Sequence, residues 1–331
     1  MQLTARVQQR MRGAVDPQAY ELYLRARYDV STLSDEAVRR GIGYFQRVIE
    51  LQPEAARAYS GIADAYLILA QVNGTVSFEE ALPKVVENAQ KAIDLDPESP
   101  EANTSMAIAM LWGRRDWRGA EERFKRAIEI NPGYPSARIA YSALLAAEGR
   151  FDEGLAQAQR AVELDPMSLF INHTYGWDLW LARRLGDAKA QAEKLLSIDP
   201  HFIPAGALKI RIAEFESRYE DAIAMHQDPR FPWSRSPAFY AQLQRAFAEH
   251  GGAGYWQTQL DSARTGGVHS AWMITAANAH LGHKDEAFRV LRRAIDDHEG
   301  DMLFLKVDGG LDPLHGDPRF AAMVRLVGLE P

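Results

Sequence analysis

The sequence predicts an all-α solenoid of stacked helical hairpins, and three observations carry that expectation. First, closely similar stretches recur: YFQRVIELQP, AQKAIDLDP, ERFKRAIEINP, AQAQRAVELDP and AQAEKLLSIDP. Second, their closing prolines fall at Pro53, Pro97, Pro132, Pro166 and Pro200, in steps of 44, 35, 34 and 34 residues, so one period governs three of the four. Third, small residues dominate two columns of the repeat. Twelve positions before the prolines stand Gly41, Val85, Ala120, Gly154 and Ala188, and five before stand Val48, Ala92, Ala127, Ala161 and Leu195. Two helices of a hairpin with axes about 8–10 Å apart leave no room for bulk where they cross. The proline then stops the second helix, because the residue before it is steered out of the helical region.

Taken in order, residues 1–16 predict an amphipathic lead-in helix: Arg6, Arg10 and Arg12 come without an acidic residue, and Leu3, Val7 and Met11 recur at helical spacing. Repeats are expected over 17–302. Pro17 stands near the start of the first hairpin, which turns around VSTLSD. The second unit is about ten residues over length, and AQVNGTVSFEEALPK is read as a long turn. The third to fifth units are regular. The pattern loosens at 201–266, where HQDPRFPWSRSP breaks a sixth second helix and HGGAG turns a degenerate hairpin. AWMITAANAHLGHKDEAFRVLRRAIDDH returns to the pattern. Residues 303–331 are expected to cap the open end, with Asp317 capping a terminal helix, Pro318 at its first position, Gly328 as its stop, and Phe320 and Val324 buried against the helix at 285–298.

The 34-residue period and its small-residue columns resemble the tetratricopeptide repeat. The frame places Tyr59, Ile62, Ala63 and Tyr66 on the first-helix aromatic and small positions of one unit, and Asn172, Tyr175, Gly176 and Leu179 on those of another. Arg138 and Asn172 depart from it where an aromatic is usual. DPQAYELYLRARY, WRGAEERFKRAIEINP, LDPMSLFINHTYGWDLWLARR and LKVDGGLDPLHGDPRFAAMVRLVGL are together similar to the repeat region that follows winged-helix regulators, serine/threonine kinases or adenylate cyclases of bacteria. The resemblance implies a right-handed superhelix and a sensor or interaction region. No such effector domain is visible in the sequence. A stand-alone chain would then be cytoplasmic, and a fragment of a membrane-linked regulator periplasmic.

The same resemblance turns certain first-helix positions toward a concave groove. In the second unit these are Arg57, Ser60, Asp64, Leu67 and Ile68; in the third, Glu101, Thr104, Ile108, Leu111 and Trp112; in the fifth, Phe170, His173, Trp177, Trp180 and Leu181. The groove set expected to meet a protein or peptide partner is therefore Arg57, Asp64, Trp112, Phe170, His173, Trp177 and Trp180. Exposed aromatics anchor peptides well, since they bury much area with few rotors to freeze. The competing expectation is that Trp177 and Trp180 pack into neighbouring helices.

Other functions find little support. The net charge of −7 disfavours a general nucleic-acid binder. No run approaches ~20 apolar residues, and no cysteine supplies disulfide or thiol chemistry. His280 and His283 lack a third ligand nearby, so no metal is expected. GGAG and DGG read as turns without a phosphate-binding helix, and no catalytic constellation assembles from local motifs, so no cofactor and no catalysis are expected. The alternative to a peptide groove is a hydrolase or transferase accessory, a solenoid carrying a small-molecule or accessory enzymatic site, marked by a closed pocket with converging polar groups.

Overall fold

In a computed structural model the described residues are 16–72, 75–231, 236–265 and 271–331, and they form helices without a strand among them. The predicted lead-in helix at 1–16 lies outside the described residues, save Asp16. Contacts divide the chain into two compact units: one runs to Arg114 and includes Arg118–Pro132, and the other comprises Arg115–Trp117 with Gly133–Pro331.

The first unit begins with the hairpin of α1 (Pro17–Ser31) and α2 (Asp35–Leu51). Asp16 caps α1 ahead of Pro17, and Ser34 caps α2, which fixes the turn where the sequence placed it. The second hairpin pairs α3 (Ala56–Leu67) with α4 (Phe78–Leu95). Its excess residues do not form the expected long turn. A π-helical stretch, Ile68–Val72, prolongs α3, while EEALPK already belongs to α4, entered through a capping box of Ser77 and Glu80. Next, α5 (Pro100–Ile108) is likewise prolonged by a π-helical stretch, Ala109–Gly113, before α6 (Trp117–Ile130).

In the second unit α7 (Pro135–Glu148) pairs with α8 (Phe151–Leu164), α9 (Leu169–Leu181) with α10 (Leu185–Ile198), and α11 (Ile203–Phe215) with α12 (Tyr219–His226). A long element, α13 (Pro237–Thr265), follows. Its two arms meet at Gly251, whose φ of 59° and ψ of −145° leave the helical region, so the predicted turn at HGGAG is present. Gly254 lies against the Ala246 carbonyl so closely that a β-carbon there would overlap it. The last hairpin is α14 (Ala271–His280) with α15 (Lys284–Asp296). A 3₁₀ turn at Gly300–Phe304, another at Gly309–Leu311, a short α16 (Asp312–His315) and α17 (Pro318–Leu326) complete the chain.

Both small-residue columns are buried throughout. At Gly41 a β-carbon would come within 2.7 Å of Val30 Cγ2 and 3.1 Å of the Ala26 carbonyl, and at Gly154 within 3.2 Å of the Ser142 carbonyl. The crossing points thus demand the small residues that the period displays.

One hydrogen bond recurs with the repeat. The Tyr59 hydroxyl donates to the Pro53 carbonyl at 3.3 Å, the Asn103 amide to Pro97 at 3.4 Å, and the Asn172 amide to Pro166 at 3.0 Å, each six residues upstream. In these three hairpins the first helix is tied to the proline that ended the preceding helix. Asn172, irregular in sequence, therefore performs the task of the tyrosine. Its amide also donates to the Ser168 carbonyl, and its Oδ1 accepts from Gln191 Nε2 and Lys194 Nζ, each at 2.8 Å.

The C-terminal segment does more than cap the last hairpin. Phe320 and Val324 are buried, α17 contacts α15, Asp317 caps α17, and Gly328 takes the left-handed conformation that ends it, all as expected. Beyond that, Val307 packs into the cluster of Ala146, Leu155, Leu179 and Trp180, joined by Phe304. The segment therefore runs back across the C-terminal ends of first helices, which no local pattern announced.

Candidate interaction faces

In the first unit Ser105, Arg27 and Glu101 act on Asp64. Its carboxylate accepts a hydrogen bond from Ser105 Oγ on the next first helix, and burial pushes its pKa up to about 6. Arg27 and Glu101 act on it through space, the first lowering and the second raising its pKa. The same charges, with Arg57, act on the Tyr23 hydroxyl, whose pKa burial raises. Arg27 and Arg57 are exposed cations on successive first helices, and Trp112, in the π-helical stretch, is half-buried. Ser60, Leu67, Thr104 and Leu111, placed on the open side by the repeat frame, are instead buried, because neighbouring first helices pack flank to flank and cover them. In this unit Arg27 and Tyr23 join the face on α1, where no earlier repeat supplied a register to find them.

In the second unit the aromatic positions form a ladder. Phe202 meets His173 edge to face at 6.1 Å, His173 lies 6.4 Å from Trp177, and Trp177 lies 4.9 Å from Trp180. Exposure falls steeply along α9. Phe170 is 51% exposed, His173 and Trp177 are half-buried, and Trp180 is 1% exposed. The expectation that Trp180 lies on the open face is corrected: the C-terminal segment covers it, with Leu181 also buried. Burial lowers the His173 pKa to about 4, so its ring is neutral over the ordinary pH range.

Near the N-terminal ends of α9 and α11, Met167, Phe170 and Ile203 are left exposed, at 67%, 51% and 41%. No group of three or more metal-ligating side chains occurs among the described residues, and none of their helices is long and apolar enough to cross a membrane.

Recurrent hairpins of successive helices, three of them tied to the preceding proline, define a helical-repeat protein. The tetratricopeptide repeat model matches residues 111–169, so the hairpins there are similar to that repeat. Over 209 residues it is 24% identical to the Transcriptional regulator HilA of Salmonella typhimurium, covering 63% of this chain and 31% of that protein. Over 122 residues it is 34% identical to the Putative adenylate cyclase 3 of Rhizobium meliloti, covering 35% of this chain and 20% of the relative. The chain thus spans less than a third of these relatives. Among solved structures, the human IFIT1 dimer with PPP-AAAA shares the fold at a TM-score of 0.54 and 14% identity, over 83% of this chain and 73% of that one.

Proposed function

We propose that the chain is a non-catalytic interaction module that holds a segment of a partner protein on the first-helix faces of its repeats, as the interaction region of a signalling or transcriptional regulator. The observation that carries this reading is the exposure of Met167, Phe170 and Ile203 at the starts of α9 and α11, the helix ends that also carry the ring contacts of His173 with Phe202 and Trp177. Exposed apolar side chains of this size suit the apolar anchors of a peptide, which gain most by leaving water. In the first unit Arg57 and Asp64 offer opposite charges that would set the orientation of a bound segment, with Trp112 nearby in sequence register. The regulatory role is supported by likeness to a protein named as a transcriptional regulator. A partner protein accords with the charge of −7 better than nucleic acid does.

The test is selection of displayed random peptides on the folded chain, followed by affinity measurement on Phe170→Ala and Trp177→Ala. The selected peptides are expected to carry aromatic or long aliphatic anchors and to weaken by about tenfold or more on either substitution, the range of an interface anchor. Peptides whose affinity ignores both substitutions would place the binding surface elsewhere.

A further inference from the structure

In the first unit one side of α1 is left apolar and open. Tyr20, Leu24 and Tyr28, at i, i+4 and i+8, are 51%, 49% and 72% exposed. With Arg40 and Tyr44 of α2, Leu24 and Tyr28 line an open groove of about 350 Å³. The charges beside it are already satisfied: Arg40 Nε donates to Asp29 Oδ2 at 3.0 Å and its Nη2 to Oδ1 at 3.2 Å. What the groove lacks is apolar cover.

The repeat shows what covers this face elsewhere. Gly41 of α2 crosses α1 at Ala26 and Val30, as Gly154 of α8 crosses α7 at Ser142 and Ala146, which matches Tyr28 to Leu144. Leu144 stands twelve residues after its closing proline, as do Ala65, Ala109, Asp178 and Ile212, and all five are at most 1% exposed. The preceding hairpin lies against them. Ala65 clusters with Phe45 and Val48, Ala109 with Ala63 and Val85, and Ile212 with Leu179, while Asp178 accepts from Ser142. Correspondingly, α3, α5, α9 and α11 each pack on the second helix before them. Among the described residues no second helix precedes α1.

Residues 1–15, outside the described residues, stand where that element would come in sequence. The connections 52–55, 96–99, 165–168 and 199–202, from a second helix to the next first helix, are four residues long, and four residues, 13–16, separate Arg12 from Pro17. Gly13 suits the stop of a helix ending at Arg12. Leu3, Val7 and Met11 recede from that connection at the same i, i+4, i+8 spacing at which Tyr20, Leu24 and Tyr28 advance from it.

We propose that residues 1–12 form a helix seated in this groove antiparallel to α1, with Met11 toward Tyr20, Val7 toward Leu24 and Leu3 toward Tyr28, so that the chain covers its own N-terminal face. A helix this short is marginal in water by itself, and burial of its apolar stripe is what orders it. Arg6 and Arg12 fall outside the stripe and keep the outer side of that helix polar. The face is thereby closed to a second copy of the chain.

The test is disulfide trapping in the full chain, which has no cysteine of its own. Val7→Cys with Leu24→Cys is expected to close an intramolecular disulfide on mild oxidation about tenfold or more faster than Gln9→Cys with Leu24→Cys, since Gln9 lies on the opposite side of the same helix and a disulfide needs close, facing β-carbons. Equal rates for the two pairs would overturn the proposal. So would a disulfide that joins two chains, which would give the groove to a second copy. Hydrogen exchange supplies a second reading that needs no cross-link. The triple variant Leu3→Ser, Val7→Ser and Met11→Ser alters no described helix, and exchange along α1 is expected to quicken in it by about tenfold. Exchange along α1 unchanged from the parent chain would show that residues 1–12 do not dock there.

Discussion

Ser142 Oγ donates a 2.7 Å hydrogen bond to Oδ2 of Asp178, joining two successive first helices inside the second unit. Asp178 is buried, its other oxygen has no partner, and burial pushes its pKa up to about 7 from the ordinary 3.8. The fold therefore holds the proton more tightly than the unfolded chain does. The stability this confers is full below about pH 4 and is lost as pH rises through about 7. Asp178→Asn removes the ionisation and keeps the shape. It is expected to raise stability at pH 8 by on the order of 2 kcal/mol and to change little at pH 4. Denaturant melts at both pH values check this, and equal effects at the two would contradict it.

His173 carries the opposite sign. Its pKa in the fold, about 4, lies below the ordinary 6.5, so acidification favours the unfolded chain between those values. Its ring is expected to stay neutral down to about pH 5 in an NMR titration, and affinity for peptides anchored at Phe170 should be level from pH 5 to 8. A titration midpoint near 6.5 would refute the desolvated setting.

Asn172→Ala is expected to cost about 1–3 kcal/mol, because it takes from Lys194 its acceptor, leaves Gln191 only the main-chain carbonyl of residue 172, and unties α9 from the Pro166 carbonyl. Hydrogen exchange should quicken at the α8–α9 junction. A stability loss below about 0.5 kcal/mol would show the tie to be dispensable.

Gly254→Ala forces a β-carbon into the Ala246 carbonyl, so the arms of α13 must part. A loss of about 1–3 kcal/mol is expected, with weakened protection at Tyr255 and Trp256, which pack on Tyr219. Gly251→Ala also loses stability, through its positive φ alone, since nothing stands near its missing side chain. Wild-type stability in Gly254→Ala would remove the close approach as the reason for glycine there.

Trp117 Nε1 donates to the Val327 carbonyl, 2.8 Å away and 210 residues on, and Arg115 Nη2 donates to the Ile295 carbonyl at 3.1 Å. Deleting residues 303–331 removes Val307 from the cluster around Trp180 as well as α17 from α15. Aggregation or a lowered melting temperature is expected, together with red-shifted tryptophan emission as Trp180 meets water. An equally stable, monodisperse truncation with unchanged emission would make the segment a free tail.

The sequence by itself determined the hairpins. Proline spacing, the small residues at Gly41, Ala120, Gly154 and Ala188, and caps such as Ser34, Ser77 and Asp317 act within one or two helical turns, so a linear pattern records them. It also placed Phe170, His173 and Trp177 on one helix face, because the repeat frame fixes direction. What only the tertiary structure decided depends on partners far along the chain. Trp180 falls in the same register as Trp177, yet Val307 and Phe304 cover it from more than a hundred residues away. Arg211, Glu214, Trp256 and Trp272 come from the irregular stretch and the hairpin beyond it, and only the return of Gly309 and Gly310 across those helices encloses them as one cavity. A repeat period encodes contacts between neighbours, and a closing segment is recorded nowhere in it, since its contacts are neither periodic nor local.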